Sequence, residues 1–351
     1  MAAVWAKVWP ILFALLLFGV IILSHELGHF ICARIFKVKI NEFSIGMGPA
    51  ILKRRRGDTL YSLRALPIGG YVAMEGEDED SDDTGSFSNK PWWQRAIIII
   101  AGATVNIICG IIIMAIMLAQ SDLIGVPRVA KFYDNAISAN YGLKEGDKIV
   151  AVGNDKIYTE LDLSYFMMRD EDAVIDFLVE RDGELVNVKS VKFGTYEERG
   201  ITCVYYDFAI LGIEPTAGHV AKYAFLNSFS VARLVWSSLI DIARMDFNLN
   251  ELSGPIGTVD IIADTTSDAV STMDFTALLM IMSLIAINIG VFNLIPFPAL
   301  DGGKFFLIII EGITGWKMPA KIEAAINTAG FAMLMLLMLA VTASDVFKIF
   351  T

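Results

Sequence analysis

Histidine and cysteine are scarce in this chain of 351 residues, with three of each. Three cysteines cannot build a disulfide framework. Cys32 and Cys109 lie in or beside apolar runs and Cys203 stands alone, so unpaired thiols without a role are expected. Charge is sparse as well: Asp, Glu, Lys and Arg make up 19% of the residues against 55% hydrophobic, and the mean hydropathy is +0.57. Soluble domains are richer in charge and poorer in apolar residues. A disordered chain, a fibre and an ordinary secreted domain are therefore excluded. Positive charge is the scarcer sign, with 28 Lys and Arg against 39 Asp and Glu and a formal net charge of -11. Binding nucleic acid calls for a basic face, so no nucleic-acid partner is expected. What remains is a membrane protein with a substantial water-exposed part.

Long apolar runs are what the chain has in plenty. A bilayer core of about 30 Å needs roughly 20 apolar residues at 1.5 Å each. Four stretches qualify: Val8 to Ala33, Ala96 to Ala119, Phe275 to Leu300 and Ala324 to Ser344. The first is too long for a cleaved signal peptide, lacks a basic start and carries titratable residues. Basic residues follow it at Arg34, Lys37, Lys39 and Lys53 to Arg56, and lie between the last two runs at Lys317 and Lys321. This bias places residues 34–95 and 312–322 in the cytoplasm, and residues 120–274 with both termini outside. The acidic stretch Glu75 to Asp83 reads as a solvated loop.

The outer segment divides in two. Residues 126–193 alternate β-rich runs (148–152, 174–179, 185–188) with turns at Glu145-Gly146-Asp147 and Arg181-Asp182-Gly183, which predicts a small β-rich domain. Residues 219–246 carry apolar side chains at helical spacing, predicting an amphipathic helix at the membrane surface or packed on the bundle. His219, at its start, reads as an ordinary solvent-facing or capping residue.

Titratable side chains inside a spanning helix are expensive and point to function. The first run holds His25-Glu26-Leu27-Gly28-His29, an H-E-x-x-H. Residues four apart share a helix face, so both imidazoles reach one ion. Glu26 is turned by roughly 100° from His25 and can carry a proton there without being a ligand. Zn²⁺ suits imidazole, and catalytic zinc has three protein ligands with an open position; ligand type alone leaves iron or cobalt open. The third ligand must come from another run, and Asp301 stands out, in Asn293-Leu-Ile-Pro-Phe-Pro-Ala-Leu-Asp-Gly-Gly303. Pro296 and Pro298 break the helix and Gly302 and Gly303 loosen it. The first and third runs both pass from outside to inside, which puts the two half-sites at comparable depth.

With these residues in view, the chain resembles the site-2 proteases, intramembrane zinc metalloproteases of the bacterial regulator-of-sigma-E type, over nearly its whole length. The motifs are His25-Glu26-Leu27-Gly28-His29, and Asn293, Pro296, Pro298, Leu300, Asp301 and Gly302, with Asn288 upstream. Phe43 to Pro49 resembles the glycine-containing segment after the first helix. Leu63 to Met74, with Gly69-Gly70-Tyr71, resembles a membrane re-entrant β-hairpin. Ala136 to Ile149, with Gly142-Leu143-Lys144-Glu145-Gly146-Asp147-Lys148-Ile149, resembles a PDZ domain, and Ser253 to Gly257 matches the turn before the third helix. Two departures stand out: Ala103 where the family's second helix often has proline, and Lys304 where many relatives carry histidine.

The resemblance implies a polytopic α-helical membrane protein of four transmembrane helices, with a re-entrant β-hairpin and one inserted extracytoplasmic PDZ domain. Its parts are residues 1–119, the first two helices and hairpin; 120–218, the PDZ-like domain; 219–274, the amphipathic helix and connector; and 275–351, the last two helices. It implies a metalloendopeptidase of the bacterial cytoplasmic membrane that cuts peptide bonds in transmembrane segments. Zn²⁺ would be held by His25, His29 and Asp301, with Glu26 catalytic. Asn293, Gly69, Gly70 and Tyr71 would contact substrate. The partners implied are the lipid bilayer, single-span membrane proteins such as trimmed anti-sigma factors, signal-peptide remnants, and an upstream protease that makes the first cut. The competing class is a non-proteolytic metal-binding or transport protein, or an inactive chaperone-like relative. Transport calls for polar residues along a path through the bilayer, and the second and fourth runs offer little beyond Asn106 and Asn327.

Overall fold

The structure, a computed structural model, describes residues 2–77, 81–168, 172–198, 201–244 and 255–350. The chain begins with α1 (Ala2–Ile35), β1 (Ile40–Arg56), β2 (Thr59–Met74) and α2 (Trp92–Gln120). Then come β3 (Ile124–Phe132), β4 (Lys148–Val152), β5 (Asp155–Lys156), α3 (Glu160–Met168), β6 (Val174–Arg181) and β7 (Glu184–Lys192). After β8 (Gly194–Glu198), β9 (Ile201–Tyr205) and β10 (Phe208–Ile213), helices α4 (Ala217–Arg244), α5 (Pro255–Thr272), α6 (Thr276–Asn293), α7 (Asp301–Thr314) and α8 (Ala320–Phe350) complete it. Two compact units result, Met1–Gly110 with Ser238–Thr351, and Ile111–Ser237.

The four apolar runs all become helix. Trp9–Ile35, Trp92–Gln120, Thr276–Asn293 and Lys321–Ser344 are each long and apolar enough to cross a membrane. The third run differs from its sequence expectation at its end. Helix α6 stops at Asn293, the prolines hold residues 294–300 out of helix, and a new helix, α7, starts at Asp301. The 219–274 connector likewise contains more than one amphipathic helix. Its second half is α5, which packs Ile262 and Ala269 against Ala14 of α1 and Leu278 of α6. Of the Ser253-to-Gly257 turn, residues 253 and 254 lie outside the described residues, and Pro255 opens α5 at the position a helix tolerates proline best.

The hairpin is larger than Leu63 to Met74. Strands β1 and β2 each bend, so that residues 42–45 lie between two others: Ser44 pairs with both Ser62 and Tyr71, and Ile45 with both Leu63 and Gly70. Residues 52–56 form the outer strand, with Leu52 opposite Leu63 and Arg56 opposite Thr59. Gly46, Gly48 and Gly69, all at φ between 82° and 85°, make the bends, a backbone region that side chains disfavour. The glycine-containing segment and the hairpin of the sequence reading are thus one sheet. It packs with α1, α2 and α7 through Ala33, Val38, Met74, Ile98 and Ile308.

The unit Ile111–Ser237 is built on an antiparallel sheet in the order β10-β3-β4-β6-β7, with β5 beside β4. Alternation along β6 turns Ile175, Phe177 and Val179 inward, where they join Val129, Ile149, Leu163 and Phe208 in one core. One carboxylate gathers much of the polar contact between helix α4 and this sheet. Asp162 accepts bonds from the amides of Tyr158 (2.9 Å) and Thr159 (3.1 Å), from Ser230 Oγ (2.8 Å) and from Arg233 Nη2 (2.7 Å). His219 meets its sequence description: its Nδ1 lies 2.8 Å from the Glu214 carbonyl at the start of α4.

Candidate metal centre

His25 and His29, one helical turn apart on α1, are both buried. What lets a second helix come against them is the absence of side chains. A Cβ on Gly28 would sit 2.5 Å from the Ala101 carbonyl oxygen, and one on Gly102 would sit 2.3 Å from His29 Nε2 and 2.9 Å from His25 Cε1. Small residues allow such backbone approach between membrane helices. Helix α2 also fixes the His29 ring. Its Nδ1–H donates to the Ile98 carbonyl at 2.8 Å, and because a carbonyl only accepts, the neutral ring leaves its lone pair on Nε2.

That lone pair faces two further ligand atoms. His29 Nε2 lies 3.2 Å from His25 Nε2 and 3.3 Å from Asp301 Oδ2, and His25 Nε2 lies 3.0 Å from the same oxygen. The structure thus brings together three of the four residues read as carrying the chemistry, as a group able to hold a metal ion. Asp301 is the first residue of α7, where the helix dipole favours an anion. The segment before it is wrapped tightly: a Cβ on Gly302 would meet the Ile295 carbonyl at 2.2 Å, and one on Gly303 the Phe297 carbonyl at 2.3 Å. Ala299 adopts φ +72°, and its amide donates to Asn327 Oδ1 of α8 at 3.3 Å.

The donor set fits a metal. Tetrahedral zinc with nitrogen and oxygen ligands at about 2.0–2.2 Å holds its ligand atoms about 3.3 Å apart, the scale of the triangle found. Hydrogen bonding alone leaves the triangle incomplete. Asp301 Oδ2, which faces both imidazoles, is buried and has no well-formed hydrogen bond among the described residues. A buried polar atom left so costs on the order of 1–3 kcal/mol, and a cation shared by the three inward atoms would satisfy it.

Glu26 is half-buried next to His25. A Cβ on Gly70 would come within 3.3 Å of Glu26 Cγ, so the bare backbone of the hairpin lies against the Glu26 stem. Gly70 is therefore beside the centre, while Gly69 lies against the Met47 side chain. The Tyr71 ring is turned to other work: its hydroxyl bonds Arg64, which also holds Glu42 at 2.7 Å. Burial pushes the Glu42 carboxyl up, but the Ser62 hydroxyl and the Arg64 guanidinium outweigh it and keep the group below its usual range. Asn293 sits at the end of α6 and donates to the Ile289 carbonyl of its own helix at 3.0 Å.

Several neighbours of the centre escaped the sequence reading. Gly102 and the Ile98 carbonyl act through backbone proximity and Asn327 through its side-chain oxygen on a loop amide, none of which spacing in one run reveals. Lys304 pairs with Glu77 at 2.9 Å and lies over the Phe87 ring. The acidic stretch 75–83 is thus partly tied down: Glu77 meets Lys304, and Asp83 meets Lys39 at 2.8 Å.

The sequence matches peptidase family M50 over residues 13–337. The chain belongs to this family. Among its relatives, a protein of Clostridium acetobutylicum named as a zinc metalloprotease is 36% identical over 340 residues, covering 96% of this chain and 97% of its own. One of Fusobacterium nucleatum, named likewise, is 33% identical over 356 residues, covering 97% and 99%. The regulator of sigma-W protease RasP of Bacillus subtilis is 26% identical over 418 residues, covering 96% and 98%. The M50 chain described here is, with its four apolar helices, an integral membrane protein and a metalloendopeptidase by family.

Proposed function

We propose that this M50 peptidase cleaves peptide bonds in or beside the transmembrane segment of single-span proteins and signal-peptide remnants. His25, His29 and Asp301 would hold zinc, the metal named for its relatives. Bound there, zinc supplies Lewis acidity and lowers the pKa of water toward 7. The observation that carries the reading is the triangle of three inward-facing ligand atoms, 3.0–3.3 Å apart, with Glu26 next in sequence to one of them.

The chain's own residues do the rest. Glu26 takes a proton on attack and returns it to the leaving amine. Residues 70–74 pair with 40–45 on one side, and no other strand pairs with β2 among the described residues. An unwound substrate segment adds to that edge by backbone hydrogen bonds, and Gly70 lets it approach Glu26. Asn293 is assigned to the substrate backbone, and Tyr71 braces the strand through Arg64. The sheet of Ile111–Ser237 is read as a PDZ domain outside the membrane, keeping large folded proteins from the site. The basic loops support a topology with residues 34–95 and 312–322 in the cytoplasm of a bacterial cell and both termini outside. By analogy with the Bacillus relative, named for sigma-W regulation, substrates include anti-sigma factors already trimmed by another protease.

The test is Glu26→Gln in the purified full-length protein with a membrane-anchored reporter. Zinc content should stay at the wild-type level while cleavage falls about 10²–10⁴-fold, the range for losing a general acid–base group. Full cleavage by this variant, or cleavage insensitive to chelator, overturns the assignment.

A further inference from the structure

Where α1 ends, the chain turns through Lys37 at φ +56°. Glycine is the residue that fits such a helix-ending position best, yet here it carries a long cation. Lys37 helps line a cavity of about 700 Å³ together with Arg34, Lys39, Arg56, Asp58 and Asp83. Three separate segments contribute cations to it: the last turn of α1, the connector after it, and the end of β1. Lys39 is occupied by Asp83 at 2.8 Å, and Arg34 donates to the Tyr61 hydroxyl at 2.9 Å. Lys37 and Arg56 are exposed and make no ion pair among the described residues, so the lining is left net positive.

The outer strand of the hairpin leads into this cavity with a gradient. Ile51 and Leu52 are 70% and 64% exposed, and Lys53, Arg54, Arg55 and Arg56 follow, all exposed. At about 3.3 Å per residue, Ile51 and Arg56 lie about 16 Å apart along the strand. Met47 and Leu66 are further exposed apolar side chains of the same sheet. One end of the strand suits hydrocarbon and the other suits the headgroup layer. The apolar span of α1 runs to Ile35, so Lys37 falls in that layer too. Basic clusters directly beyond a membrane helix bind anionic lipid.

We infer that this cavity binds the anionic headgroup of a phospholipid, held by Lys37 and Arg56, with the apolar part of the hairpin in the acyl region beside it. The inference rests on α1 crossing the bilayer and is independent of the protease reading. A cavity of this size exceeds one phosphate group and has room for the glycerol behind it.

The full chain in neutral detergent, examined by native mass spectrometry against phosphatidylglycerol and phosphatidylcholine, tests this. Phosphatidylglycerol should be retained at least about tenfold better, and raising salt from about 0.05 to 0.5 M should remove most of that preference. The double variant Lys37→Gln/Arg56→Gln should bring the two lipids to parity, while Lys131→Gln in the other unit should leave the preference unchanged. The wild-type salt dependence tests the site even where the double variant folds poorly. Equal retention of both lipids by the wild type, or a preference that survives high salt, overturns the inference. So does displacement of phosphatidylglycerol by inorganic phosphate at about 10 mM, which would mark a site for the free ion.

Discussion

Buried carboxylates occur in both units and are treated in opposite ways. In Ile111–Ser237, Asp147 and Asp162 have no exposure at all, and their oxygens are met by donors. Asp147 takes Arg181 Nε and Nη2 at 2.7 Å each and the Lys144 amide at 2.9 Å. Asp162 takes two amides, a hydroxyl and Arg233. In the other unit, Asp301 faces two imidazole nitrogens, one of which has already given its proton-bearing side to the Ile98 carbonyl. The first arrangement is complete as protein and serves to fasten loops and helices. The second has three potential ligand atoms converging on a common point, the arrangement an ion site needs. Donor count separates the structural acids from the functional one, which is also the more open, with 23% of its side chain exposed against none for Asp147 and Asp162.

Removing one acid from each unit should have the largest effects. Asp301→Ala should lower bound zinc from one per chain to near none and cut cleavage about 10²–10⁴-fold, read by elemental analysis and a reporter assay. Asp162→Ala should do the reverse. It leaves the Arg233 guanidinium without its buried partner, a loss of about 3–5 kcal/mol, so thermal unfolding should shift down with zinc content unchanged. Loss of zinc in Asp162→Ala, in protein whose sheet is intact, would contradict the division.

A smaller effect is expected from Gly102→Ala. The added methyl group would stand 2.3 Å from His29 Nε2, so the ring or the helix must give way. Disturbing the support of a metal ligand costs typically 10–100-fold in metal affinity. A competition titration with a chromophoric chelator should show a loss in that range, with helical content preserved. Unchanged affinity would mean that α1 and α2 separate freely, and that the close approach at Gly28 and Gly102 does not set the ring positions.

How much of this was legible beforehand depends on whether the signal was local. The spans were, because a helix needs about 20 mostly apolar residues to cross a bilayer and the four runs supply them despite the H-E-x-x-H in the first and the prolines at the end of the third. The shared face of His25 and His29 was, because four residues make one turn. The meeting with Asp301 was inferred from depth and from the proline break, and the structure brings the three together. The four-stranded shape of the hairpin was not. Ser44 finds Ser62 on one side and Tyr71 on the other only after Gly46, Gly48 and Gly69 have folded the strands back, and partner choice in a sheet is a non-local matter. Helix α5 was hidden because Asp260, Asp264 and Asp268 dilute its apolar pattern. The role of Gly102 was hidden because a glycine in an apolar run reads as a weak point until the neighbouring helix is in place.

The weakest link in the comparison is the loop that delivers Asp301, and it is the finest test. Residues 294–300 are held by isolated turn bonds and not by a continuous helix, and Ala299 is held in a left-handed conformation that costs a non-glycine residue on the order of 1–2 kcal/mol. Two contacts from α8 offset this: the Asn327 side chain accepts the Ala299 amide, and Gly330 lets Pro298 lie against the helix, where a Cβ would meet it at 2.6 Å. If that contact positions Asp301, Asn327→Ala should weaken zinc binding about two- to tenfold, the worth of one hydrogen bond at about 0.5–1.5 kcal/mol. Asn327→Asp retains an acceptor oxygen and should recover most of the loss. Equal loss in both variants would show that α8 acts by packing alone, and the acid would then owe its place to the prolines and to Gly302 and Gly303.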